Sequence, residues 1–190
     1  MITYLNKNYD SDRDNIMEWF GHEVEPQGFG WGMVTNLVYE INQTSGLMET
    51  LTFSQDIKDA GLEIDFINIF YVKPKVRTSL YNYKIRLKPR QLHEPLMDES
   101  LPDRKCLLAI PVENTAGYIQ RISDAIKVND GNMKEKYEVI EAIKIDNRPF
   151  IMRSDVPVYT SNVKGSEPLY VIHVGFFGDP SYEEVVAKLG

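Results

Sequence analysis

The 190-residue chain reads as an α+β protein: a largely antiparallel sheet or two-sheet sandwich, with helices near residues 11–20, 114–127 and 179–189. Three observations predict this class. Residues 169–177 are the most apolar run, about one strand long, rich in β-branched and aromatic residues and apolar on both faces. Residues 33–42 and 81–88 alternate between apolar and polar, as half-buried strands do. The helical stretches instead carry start and stop signals.

Taken in order, Ser11 caps the first helix, acids sit in its first turn and Gly21 suits its exit, leaving Ile16, Trp19 and Phe20 as the buried stripe. Residues 27–32 form a glycine–aromatic turn, and no lysine follows to make it a phosphate loop. In residues 33–42, Met33, Thr35, Leu37, Tyr39 and Ile41 face one way, opposite Val34, Asn36, Val38, Glu40 and Asn42. A turn at residues 44–46 returns residues 47–53 as the second arm of a hairpin, and residues 55–60 make a short polar turn or a single helical turn ending at Gly61. Residues 66–72 are a strand apolar on both faces. In residues 81–88, Tyr81, Tyr83, Ile85 and Leu87 line one face, and Asn82, Lys84, Arg86 and Lys88 the other.

The pattern dissolves over residues 89–104, punctuated by Pro89, Pro95 and Pro102. This predicts a long surface loop or linker joining two sheet-bearing halves of a single domain over residues 1–190. Residues 105–112 resume as a buried strand. Ile119, Ile122 and Ile126 then recur at helical spacing behind a cap at Asn114 or Thr115. β-Branched density makes residues 137–146 a strand, residues 150–153 add a short one, and Pro157, which lacks an N–H, marks residues 156–160 as an edge strand. In residues 169–177, Leu169, Val171, His173 and Phe177 face one layer, while Tyr170, Ile172, Val174 and Phe176 face another. Such a strand is central. Asp179 as cap and Pro180 as first position open the last helix.

The hydrophobic share of 43% and charged share of 26% are those of a globular protein, which excludes a disordered or fibrous chain. A net charge of −7 argues against wholesale coating of nucleic acid. The single cysteine, Cys106, excludes an intramolecular disulfide. The opening residues lack the apolar core and cleavage site of a signal peptide, and no apolar run is long enough to span a bilayer. The expectation is a cytoplasmic chain without a membrane partner.

Charge is segregated along the chain. No acidic residue occurs between Asp65 and Glu94, yet Lys73, Lys75, Arg77, Lys84, Arg86, Lys88 and Arg90 all fall there. Because the whole chain carries −7 and this segment +7, the remainder carries −14. Tyr71, Tyr81 and Tyr83 are interleaved, which suggests stacking beside phosphates. Alternation opposes this, since it sets Tyr81 and Tyr83 on the face away from Lys84 and Arg86. Lysines on an open strand face also discourage unwanted edge pairing. A short acidic patch, Asp98 and Glu99, lies in the loop beyond.

His22, His93 and His173 show no metal-ligand spacing, so neither metal nor cofactor is expected. A histidine within a core strand ordinarily serves a structural hydrogen bond, although its titration also suits catalysis. Cys106 lies in an apolar strand, where a thiol is inert. No nucleophile elbow or nucleotide fingerprint occurs, and no catalytic residue is assigned.

These readings predict a non-enzymatic structural or interaction protein that self-associates or binds a protein partner through its basic strand, in the manner of small subunits of viral or phage assemblies. The alternative is a module that binds nucleic acid or a phosphate ligand on residues 73–90. A second alternative is a small enzyme that uses His173.

Overall fold

The apolar run near the carboxyl end becomes the middle of a sheet. A computed structural model describes residues 2–19, 36–40, 46–72, 77–79, 105–113, 117–122, 126–128, 134–136, 139–154, 158–161, 164–167 and 169–190. The elements run β1 (Ile2–Tyr4), α1 (Asp10–Trp19), β2 (Asn36–Glu40), α2 (Thr52–Asp59), β3 (Ile64–Val72), β4 (Arg77–Ser79), β5 (Cys106–Glu113) and β6 (Tyr118–Ile122). Then follow β7 (Ile126–Val128), β8 (Lys134–Lys136), β9 (Val139–Lys144), β10 (Phe150–Arg153), β11 (Val158–Ser161), β12 (Leu169–Phe176) and α3 (Tyr182–Leu189).

The described strands form a six-stranded sheet in the order β1-β10-β5-β12-β3-β2, a four-stranded sheet in the order β4-β11-β6-β9, and the small β7-β8 pair. Every pairing is antiparallel. With its antiparallel sheets and three described α-helices, the protein is α+β. Eight of these strands pass back and forth between the two larger sheets, in the orders β3-β12-β5-β10 and β4-β11-β6-β9. That winding is a jelly roll. Strands from before and after residues 89–104 share both sheets.

Alternation along the strands sorts the core into two layers. Ile67, Ile69, Cys106, Leu108, Ile110, Ile172, Val174 and Phe176 pack with Ile16 of α1, Phe53 and Ile57 of α2, and Val185 and Leu189 of α3. On the opposite face, Phe66, Leu107, Ala109, Phe150, Met152, Leu169 and Val171 pack with Ile119 of β6 and Ile145. One face of the six-stranded sheet therefore carries helices and the other carries the second sheet. The expected division of β12 between two layers holds, except at Phe177. That residue lies in a turn beyond the strand and is 64% exposed.

The helix expected near 114–127 is absent from the described part of that stretch, which forms β6 and β7. Ile119 meets Ile143 across the β6–β9 pairing and is buried between the sheets. Three β-branched isoleucines satisfy helical spacing on paper but favour an extended backbone. Residues 47–53, expected as a hairpin arm, instead make a 3-10 turn (Leu47–Thr50) and the start of α2. Phe53 and Ile57, one turn apart, are both buried; each such side chain contributes about 1.5–3 kcal/mol. β11 is interior to its sheet rather than an edge, since Val158–Ser161 pairs with β6 on one side and with β4 on the other.

The last helix starts later than its sequence signals suggest. Ser181, not Asp179, is its cap, accepting a hydrogen bond from the Glu184 N–H at 3.1 Å. Asp179 has a left-handed φ of 50° and accepts the backbone N–H of Lys105 at 2.8 Å. Its preceding Gly178, at φ 74°, makes that turn possible.

Candidate functional site

His173 sits midway along β12, opposite Ala109 of β5 on one side and Asn68 of β3 on the other. Its neighbours Ile172 and Val174 belong to the helix-side core, whereas Val171 belongs to the inter-sheet core. The imidazole therefore stands between the two sheets, and only 1% of the residue is exposed. Two positions further along the same face is Gly175, where a Cβ would lie 2.2 Å from Cε1 of Phe66. Small residues around His173, Ala109 across and Gly175 along the strand, leave room for the imidazole and the Phe66 ring. Burial pushes the His173 pKa down from 6.5 to about 3, so the ring is neutral at ordinary pH.

Asp12, Arg13 and Tyr9 tie elements of the described interior together. Asp12 of α1, 1% exposed, accepts the backbone N–H groups of Thr52 at 2.9 Å and Phe53 at 2.8 Å. It thus satisfies two of the donors that the amino end of α2 leaves open. Its neighbour Arg13 binds Asp10 and the carbonyl of Asn147, tying α1 to the turn before β10. Tyr9 donates its hydroxyl to Asp56 at 3.0 Å, and burial together with that carboxylate raises its pKa. By sequence alone Asp12 is a generic first-turn acid. The available signal was an acid and a base side by side within a helix that must bury one face.

On the surface, Arg148 stacks 4.0 Å above the Tyr4 ring and holds Asp146 at 2.7 Å. That hydrogen bond lowers the Asp146 pKa, and burial raises that of Tyr4. The Cys106 thiol lies in the helix-side core and donates to the carbonyl of Pro180 at 3.6 Å, in keeping with an inert thiol. Among the described residues, no group of three His, Cys, Asp or Glu side chains is placed to hold a metal ion.

Of the predicted basic strand, Lys73, Lys75, Lys84, Arg86, Lys88 and Arg90 lie outside the described residues, as do Asp98, Glu99, His22 and His93. Arg77 is described. It opens β4, at the outer position of the four-stranded sheet, opposite Ser161. The helix layer, across the six-stranded sheet, carries exposed acids at Asp14 and Glu18 on α1, Asp59 on α2 and Glu49 in the turn before it. Arg77 thus belongs to the sheet that packs on one face of the six-stranded sheet, and these acids to the helix layer on the other.

No protein-family profile matches the chain, and no curated protein matches it. Solved structures similar to it include vicilin from hazelnut, Corylus avellana, at a TM-score of 0.35 and 11% identity; the match covers 75% of this chain but 28% of the vicilin. The non-heme alpha-ketoglutarate-dependent carbocyclase SnoK from nogalamycin biosynthesis matches at a TM-score of 0.47 and 9% identity, over 92% of this chain and 79% of that one. A Pseudomonas putida prolyl-4-hydroxylase matches at 0.45 and 11% identity, over 93% and 90% of the two chains. Likeness at this level assigns no activity.

Proposed function

We propose that this chain is a non-enzymatic interaction protein that self-associates through its basic segment, a cytoplasmic subunit of a larger assembly of viral or phage type. Jelly rolls serve capsids, lectins and enzymes alike, so the fold by itself selects none of these. The observation that carries the reading is the division of charge: +7 between Asp65 and Glu94 against −14 elsewhere.

The placement of described residues supports it. Arg77 lies on the second sheet, whereas Asp14, Glu18 and Asp59 are exposed on the helix layer behind the first. Packed sheets stand about 10 Å apart, and exposed charges are screened beyond about 8 Å at physiological salt. Such charges neutralise one another poorly within one copy and readily between copies. The resulting contact is heterologous, basic segment to helix face. The buried His173, held neutral by desolvation, fits a structural histidine better than a proton-transfer group.

Light scattering of the purified chain at low and high salt tests the proposal. A defined oligomer that dissociates as salt rises is the expected result. A monomer at every salt overturns it.

A further inference from the structure

We draw no further inference here: the strongest candidate, the outer strand β9 of the four-stranded sheet with Ile140 58% exposed on it, carries nothing, because nothing in the structure shows what covers it.

Discussion

The carboxylate of Asp12 on α1 accepts the backbone N–H of Phe53 at 2.8 Å, so one helix supplies the amino-terminal cap of another. The same carboxylate takes the N–H of Thr52, and the cap residue of α2, Leu51, has no side-chain oxygen to offer. A buried donor left without its acceptor costs about 1–3 kcal/mol. Asp12→Ala is therefore expected to lose about that much stability in urea denaturation, and Asp12→Asn also loses stability, because its amide keeps one acceptor and sets a donor NH2 against the second N–H. Stability unchanged in Asp12→Ala would show that the cap contributes nothing.

The stability of the protein depends on pH through His173. Its folded pKa, about 3, lies below the ordinary 6.5, so under acid the unfolded chain takes a proton that the folded chain refuses. This contribution is present in full above 6.5 and is lost as pH falls from there towards about 3. Its slope approaches about 1.4 kcal/mol per pH unit in that window. Denaturation at stepped pH should show the slope in the parent chain and a flatter one in His173→Asn. If the two chains have the same slope, the histidine is not the sensor.

Gly175 gives way to a ring. A Cβ added there would stand 2.2 Å from Phe66 Cε1 and 2.5 Å from its Cζ, just where the β12–β3 register shifts. Gly175→Ala should destabilise by about 1–3 kcal/mol through overpacking. In the Phe66→Leu background the added methyl has more room, and the penalty should shrink. Additive losses in the double mutant would sink this account.

Self-association through the basic segment predicts that the triple reversal Lys84→Glu, Arg86→Glu and Lys88→Glu weakens assembly and leaves the circular dichroism unchanged. Sedimentation of parent and variant at low salt reads this directly. Assembly of undiminished strength in the folded variant would move the interface elsewhere. If the parent instead binds an oligonucleotide, with log affinity falling linearly against log salt, the segment serves nucleic acid.

Much of the sheet was legible in the sequence because strand signals are local. The two faces of β12 follow from alternation alone, and Leu169 and Val171 do part from Ile172 and Val174 between the two cores. α2 was not legible. Its cap comes from Asp12, 40 residues from Thr52, and its apolar stripe of Phe53 and Ile57 is too short to show a period. Residues 118–122 were misread because isoleucines spaced three and four apart satisfy a helix and a β-branched strand together, and only the pairing with β9 decides between them. The site divides the same way. Charge could be counted along the chain, but the placement of Arg77 on the second sheet, and of the acids on the helix layer behind the first, is a product of the winding.

The order of the central sheet also bears on how the chain is made. β12, the last strand in sequence, lies between β5 and β3, so Phe66 waits for Gly175 as its cross-strand partner. Until residues 169–176 leave the ribosome, β3 and β5 each present an unpaired inner edge to their surroundings. Pairings so distant in sequence close slowly, and partly made chains with open edges are prone to aggregate. The protein thus commits to its fold only once β12 has emerged, and a ribosome stalled before Leu169 carries a central sheet split between β5 and β3.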